Sequence, residues 1–283
     1  MKVYSFFYWV SSKKNDKIDK KSFWVYNNCA QEFSLKIHFI CKKENAKGDF
    51  ESCLSRYGQS DWSKADVHVV MGGDGTVLDD LRDQVEKDIS IPIFALNYGN
   101  LGYLTNEKDW KDLPTRIEQS EKILVPPLQV ETTLASNGKK VKAYAFNEVS
   151  FFRGPSMQAV DLDLLIDDAH YNIFGDGLMI ATPMGADAYL KSAGGPRMPK
   201  GQNMLAVHSN NSVSTFSSVV PANTIVAVAS RQNQKRPVRI ECDCKQAIDH
   251  ISRAIVKQET HKSQTLLFDG MKKHILTKRL RTR

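Results

Sequence analysis

The residues best suited to chemistry lie in Val67-His68-Val69-Val70-Met71-Gly72-Gly73-Asp74-Gly75-Thr76-Val77-Leu78, where three glycines surround one carboxylate. An apolar run enters this stretch and a helical pattern leaves it. A strand that ends in a glycine-dense turn and feeds a helix gathers backbone N–H groups and a helix N-terminus at one point, which suits a phosphate. Asp74 is then an acid where the anion should sit. A carboxylate so placed serves to hold a metal ion or to take a proton from an attacking hydroxyl. The competing reading is an Asp-Gly turn that only redirects the chain. Two nucleotide-binding patterns are excluded. No Gly-x-x-x-x-Gly-Lys-Ser/Thr occurs, and Leu78 stands where a dinucleotide fingerprint needs its third small residue.

Three further segments carry polar or glycine-rich chemistry. Asn97-Tyr98-Gly99-Asn100-Leu101-Gly102 is a second glycine turn after an apolar run. Phe146-Asn147-Glu148-Val149 puts an amide beside an acid. Neighbours on a flat strand point to opposite faces, so a shared role needs a bulge, a strand end or the backbone; taken alone, the pair reads as exposed strand residues. The longest segment, Phe174 to Pro196, turns at Gly175-Asp176-Gly177, forms a short strand, and turns again at Thr182-Pro183-Met184-Gly185. A short helix then carries Asp187, Ala188, Tyr189 and Ser192 and is closed by Gly194-Gly195-Pro196. Small residues there let a ligand approach the backbone, and Tyr189 is able to stack or hydrogen-bond.

Alternating elements position these segments. Strands are expected at 2–10, 34–40, 65–71 and 91–96, with helices at 22–33 and 76–86 and a polar stretch with a short helix at 42–64. Asp79, Asp80 and Asp83 fall on the wet side of the 76–86 helix. Both glycine turns follow strand C-termini, which places them on one edge of a parallel sheet, where such sheets bind ligands. After Pro126-Pro127 the pattern becomes mainly β, with strands at 128–134, 141–152, 160–164, 224–229, 237–242 and 253–258 and a hairpin at Asn137-Gly138. A strand-plus-helix pattern returns at 266–280. The fold expected is an α/β domain with a parallel sheet, 1–125 plus 265–283, followed by a mainly β domain, 126–264, with the chain end crossing back to the first.

The 283 residues, 41% hydrophobic, suffice for two cores. The net charge of +7 is concentrated: residues 270–283 carry six Lys and Arg and no acid, which leaves +1 on the rest. Without an RNP, zinc-finger or helix-turn-helix signature, that run reads as a solvated helix end, not a specific nucleic-acid site. Five scattered cysteines fit reduced thiols and a cytoplasmic location, and Cys242-x-Cys244 lacks the second pair a zinc site needs. The apolar start is too short for a membrane span and has no signal-peptide cleavage pattern.

In order along the chain, Gly72-Gly73-Asp74-Gly75-Thr76, Asn100-Leu101-Gly102-Tyr103-Leu104-Thr105, Asn147-Glu148, and Gly175-Asp176-Gly177-Leu178 through Thr182-Pro183-x-Gly185 to Ala188-Tyr189-x-x-Ser192-Ala193-Gly194-Gly195-Pro196 resemble the NAD kinase family. The resemblance implies a phosphofructokinase/NAD-kinase-like α/β domain and transfer of a phosphoryl group, from ATP or another donor with a divalent metal such as Mg²⁺, to the adenosine ribose 2′-hydroxyl of NAD, giving NADP. It assigns Asp74 as the base and implies that Asn147, Glu148, Asp176, Ala188, Tyr189 and Ser192 line the NAD site. Gly73, Gly75, Tyr103 and Asp187 complete the cofactor-binding set, and no metal ligand is assigned. The family commonly forms homodimers or homotetramers.

Two departures stand out. The family has Gly-Ser/Thr-Thr-Ala-Tyr where this chain has Gly185-Ala186-Asp187-Ala188-Tyr189, so two hydroxyls are lost and a carboxylate gained. That charge repels a dinucleotide diphosphate unless a cation or a ribose hydroxyl lies close. Cys242-Asp243-Cys244-Lys245-Gln246 stands where the family more often reads Asp-Gly/Ser-Gln after the strand. Two alternatives accompany this reading. One is a lipid kinase of the diacylglycerol or sphingosine type, which shares the Gly-Gly-Asp-Gly turn but not the 175–196 match; the other is an NAD-binding regulator with weakened catalysis.

Overall fold

The valine-rich strand Val67–Gly72 is buried at all six positions, as an inner strand of a parallel sheet covered on both faces must be. The computed structural model describes residues 35–154, 158–199 and 201–270. The strand expected at 2–10, the helix at 22–33 and the helical end of the chain lie outside the described residues. The first part runs β1 (Ile37–Cys41), α1 (Lys47–Tyr57), β2 (Val67–Gly72), α2 (Asp74–Glu86), β3 (Ile93–Asn97), α3 (Leu113–Glu118) and β4 (Glu121–Val125). The second part continues as β5 (Leu128–Leu134), β6 (Lys140–Ala145), β7 (Glu148–Arg153), β8 (Val160–Ile166), β9 (Ala169–Gly175), β10 (Gly177–Ala181), α4 (Tyr189–Ser192), β11 (Met204–Asn210) and β12 (Ser217–Pro221). It closes with β13 (Val226–Ser230), β14 (Val238–Cys242), β15 (Gln246–Ile248), β16 (Ile251–Gln258) and β17 (Gln264–Phe268).

The first sheet has the order β1-β2-β3-β17-β4. Its first four strands are parallel, and β4 is antiparallel to β17. On one face of this sheet, Val77, Leu81 and Val85 of α2 form an i, i+4, i+8 stripe against Val70, Ile93, Ala95 and Leu266. Each such side chain contributes roughly 1.5–3 kcal/mol relative to exposure. Cys53 and the partly buried Phe50 and Leu54 of α1 pack with Ile37, Phe39, Val69 and Phe94 in a separate cluster.

Asp80 departs from its expected place on the wet side of α2: it is only 3% exposed. Its Oδ2 meets His68 Nδ1 at 2.8 Å and accepts from Gln84 Nε2, while its Oδ1 accepts from Trp62 Nε1 at 3.2 Å. His68 Nε2 faces the Trp62 carbonyl at 2.8 Å. A buried carboxylate is tolerated because every partner it needs is supplied by β2, α2 and the 58–66 connection. Asp79 is half-buried and Asp83 exposed.

The remaining strands form two six-stranded antiparallel sheets, β12-β11-β10-β7-β14-β15 and β6-β5-β16-β13-β8-β9. Alternation is plain in β8, where Val160, Leu162, Leu164 and Ile166 are buried between the half-exposed Asp161, Asp163 and Leu165. The inward residues of both sheets share one core, with Val149, Phe151 and Ile180 on one side and Leu162, Val228 and Val256 on the other. The Asn137-Gly138 turn joins β5 and β6 as an antiparallel hairpin, with Gly138 at φ +68°. The single strand expected at 141–152 is instead two, β6 and β7, in different sheets, with a break at Phe146-Asn147. The short helix expected after Gly185 is a 3₁₀ turn, Gly185–Asp187, followed by the single turn of α4. Among the described residues no helix is long and apolar enough to cross a membrane.

Candidate active site

Asp74 is the first residue of α2, half-buried, immediately after the extended Gly73. β2 and β3 lie side by side and parallel, so their two glycine turns emerge together. The turns touch: a Cβ on Gly99 would stand 2.8 Å from Gly73 Cα, and the Tyr98 N–H donates to the Gly72 carbonyl at 2.8 Å. Asp74 joins them, because its Oδ2 accepts from the Tyr103 N–H at 3.0 Å and its Oδ1 from the Leu104 N–H at 2.7 Å. Two amide donors fix the carboxylate rotamer at the N-terminus of a 13-residue helix, whose dipole favours negative charge there. Gly75 is exposed, with nothing within 4 Å of where a Cβ would be, so the turn is open on that side.

The facing wall comes from the second part of the chain. At the break between β6 and β7, the Asn147 carbonyl accepts from the Thr182 N–H at 2.9 Å and the Phe146 carbonyl from Thr182 Oγ1 at 2.6 Å. A Cβ on Gly185 would lie 2.3 Å from the Asn147 oxygen, so only glycine lets this turn rest on that peptide. Asp243, in the β14–β15 turn with φ 52°, accepts from the N–H groups of Phe146, Asn147 and Glu148 at 2.9, 2.7 and 3.3 Å. Sequence reading missed Asp243 as a contributor. Its signal was the departure at 242–246, where a carboxylate leads a turn that needs left-handed backbone.

Glu148 corrects the reading of this pair as exposed strand residues: it is 2% exposed, while Asn147 is half-buried. Its Oε1 accepts from Cys244 Sγ at 3.8 Å, and its Oε2 has no hydrogen-bond partner among the described residues. Burial pushes the Glu148 carboxyl up to about 8, and the charge of Asp243 adds to this. Asp243 is itself raised by burial, against the three amide donors and Arg82. With those donors, Asp243 is the member of the pair equipped to carry the charge.

Between the two walls lies a cavity of about 530 Å³ lined by Tyr103, Leu104, Phe146, Thr182, Met184 and Phe268, among others. The first two are the residues whose amides hold Asp74. A second depression, of about 480 Å³, opens at Leu165, Asp167, Pro221 and Thr224 and contains none of the candidate residues.

From Gly185 at Asn147 the chain runs to Tyr189, whose ring centroid is 5.8 Å from that of Phe152 on β7. Leu190 anchors this strip in a small core with Met179, Ala181 and Met198. Asp187, Tyr189 and Ser192 are exposed and Ala188 is half-buried. His208, also missed in the sequence, has Nε2 3.0 Å from the Ala193 carbonyl that ends the strip. Of the candidate residues only Tyr103 lines the cavity itself, and Asp176 stands beside Gly177, which pairs with the Phe152 that Tyr189 packs on. Asp176 pairs with Arg153 at 3.2 Å and accepts from Asn211 Nδ2 at 2.8 Å, at the end of β10 away from Thr182. A strand of that length separates them by roughly 20 Å.

The ATP-NAD kinase N-terminal domain matches residues 23–122 and the ATP-NAD kinase C-terminal domain matches residues 146–265. The chain is 32% identical over 262 residues to the NAD kinase of Brucella suis biovar 1 (strain 1330), covering 89% of this chain and 98% of that one. This chain belongs to the NAD kinase family. Among solved structures, the yeast NADH kinase complexed with NADH superposes with a TM-score of 0.70 at 19% identity, over 83% of this chain and 84% of that one. The NAD kinase from Archaeoglobus fulgidus in complex with ATP gives 0.70 at 20% identity, over 88% and 99%. Those two likenesses establish the NAD kinase fold, and the motif order that suggested the family in the sequence is borne out.

Proposed function

We propose that this NAD kinase family member transfers a phosphoryl group from ATP to the 2′-hydroxyl of the adenosine ribose of NAD, yielding NADP, with Asp74 as the base. The observation that carries this is the Asp74 carboxylate, pinned by the Tyr103 and Leu104 amides beside an interdomain cavity. With its rotamer fixed, Asp74 accepts the hydroxyl proton as the ribose oxygen attacks, and the open side at Gly75 leaves room for the donor phosphates. Positioning and charge stabilisation are most of what phosphoryl transfer needs.

Asn147, Glu148, Ala188, Tyr189 and Ser192 form the NAD-binding wall, with Gly73, Gly75 and Tyr103 on the Asp74 side and Asp187 at its rim. Among the described residues no group of three or more His, Cys, Asp or Glu is placed to hold a metal ion. A Mg²⁺ ion held by nucleotide phosphates and water would need no such group. When bound, such an ion neutralises charge on the transferring phosphoryl. Asp176 joins this wall at its Tyr189 end, and the protein assembles as a homodimer or homotetramer, as the family resemblance implies. Within the described residues the lobes are 35–125 plus 265–270 and 126–264. Free thiols at Cys41, Cys53, Cys242 and Cys244 suit a cytoplasmic enzyme.

Purified protein with ATP, NAD and Mg²⁺ is expected to form NADP, and Asp74→Asn to lower kcat by about 10²- to 10⁴-fold with the KM for NAD little changed. Absence of NADP with every phosphoryl donor and metal tried would overturn the assignment.

A further inference from the structure

Three successive amide N–H groups, those of Phe146, Asn147 and Glu148, converge on the one carboxylate of Asp243. In a regular strand successive N–H groups point to opposite sides, so this convergence is a concave anion nest filled by a side chain from a distant turn. It explains why the run 141–152 breaks into β6 and β7, and why the Asn147 carbonyl is turned onto Thr182. The same carboxylate reaches the other lobe. Its Oδ2 lies 3.5 Å from Arg82 Nη2, on the helix that begins at Asp74. Arg82 also faces Asp79 at 3.6 Å, and Asp79 takes Lys42 at 3.0 Å together with Lys245 of the β14–β15 turn. The Asp243 side chain is fully buried, and Arg82 Nε is buried without a hydrogen-bond partner among the described residues. Arg82 therefore depends on its two carboxylates.

We propose that Asp243 is a positioning residue of the kinase site: it fixes the Asn147–Glu148 backbone and, through Arg82, sets that wall against the helix carrying Asp74. The proposal rests on the assignment of Asp74 and Asn147–Glu148 to the reaction. Its energetic sense is that in-line transfer tolerates little displacement, with about 1 Å costing about a hundredfold in rate. Asp243 supplies acceptors that hold one wall and a charge that joins it to the other.

The test uses the full-length protein. Asp243→Ala removes both acceptors and charge, Asp243→Asn keeps an oxygen for the amides but drops the charge, and Arg82→Met leaves the nest filled but cuts the link. Hydrogen exchange of the 146–148 amides, melting temperature, kcat, and the KM for NAD and for ATP are measured for each. Asp243→Ala is expected to lose protection at 146–148 selectively and to raise the KM for NAD about tenfold or more, with the KM for ATP within about twofold. Asp243→Asn should recover most of that protection and of the KM for NAD. Arg82→Met should keep the protection and lower kcat about tenfold.

A folded Asp243→Ala protein with native exchange at 146–148 and a native KM for NAD overturns the proposal. So does a uniform loss of protection with equal rises in both KM values, which describes a general staple. Should Asp243→Ala not fold, Arg82→Met with wild-type kcat overturns the coupling to α2. If the wild-type chain makes no NADP, the assigned reaction fails, while amide exchange in Asp243→Ala and Asp243→Asn needs no turnover and still decides whether Asp243 holds that backbone.

Discussion

Glu148 makes stability depend on pH in a direction opposite to that of ordinary surface acids. Its carboxyl is pushed from 4.5 to about 8, first by burial and then by the neighbouring charge of Asp243. Between those two values the unfolded chain has released the proton and the folded chain retains it, so folding stability falls as pH rises through this window. The slope is about 1.4 kcal/mol per pH unit, and the whole interval is worth roughly 4–5 kcal/mol. The residue is almost wholly buried, so solvent screens little of this effect. Glu148→Gln has no proton to lose. Urea denaturation of wild type and variant at pH 5, 6.5 and 8.5 should show the wild type losing about 4 kcal/mol relative to the variant from the lowest to the highest pH. Parallel profiles for the two proteins would refute the buried, neutral Glu148 and, with it, the division of roles between Glu148 and Asp243.

Gly99→Ala places a methyl 2.8 Å from Gly73 Cα. It should cost about 1–3 kcal/mol in urea denaturation and lower kcat by prising the two turns apart; unchanged stability and turnover would show that the contact is not needed. Asp80→Ala leaves His68, Trp62 and Gln84 facing a void, with an expected loss of about 3–5 kcal/mol, and a loss under about 1 kcal/mol would contradict the buried pair. Asp187→Thr removes a carboxylate from the rim of the proposed NAD-binding wall. It should lower the KM for NAD severalfold at low salt, with the gain shrinking as ionic strength rises; a higher KM would mean that Asp187 holds the ligand.

What could be read from the sequence was set by local backbone chemistry. The Gly72-Gly73-Asp74-Gly75 turn, the second turn at Gly99 and the returning strand at the end of the β-rich segment announce themselves through glycines and apolar runs that act within a few residues. Their placement on one sheet edge follows from the handedness and parallel order of alternating elements. Features that depend on distant partners were not legible. Asp80 looks like a wet helical acid until His68, twelve residues earlier on β2, is found beneath it. Glu148 looks like half of an exposed pair until Asp243 and Cys244, nearly a hundred residues later, close over it. The break between β6 and β7 has the same origin, because the 141–152 run has good strand propensity and it is the distant Asp243 and Thr182 that hold its backbone at Phe146-Asn147.

The position of β17 bears on how the protein is made. It lies between β3 and β4 in the first sheet, although every strand of the β-sandwich precedes it in the chain. A nascent polypeptide that has emerged only as far as Val125 holds β1, β2 and β3 but has an open edge at Ile93 and Phe94, both destined for burial. That edge stays available for wrong pairing until more than a hundred further residues have been synthesised, which favours slow, late consolidation of the sheet. Asp74 is in the chain early, but the sheet beneath it is completed only when β17 arrives. A truncated product ending within the sandwich therefore lacks both a finished first sheet and a competent phosphoryl-transfer centre.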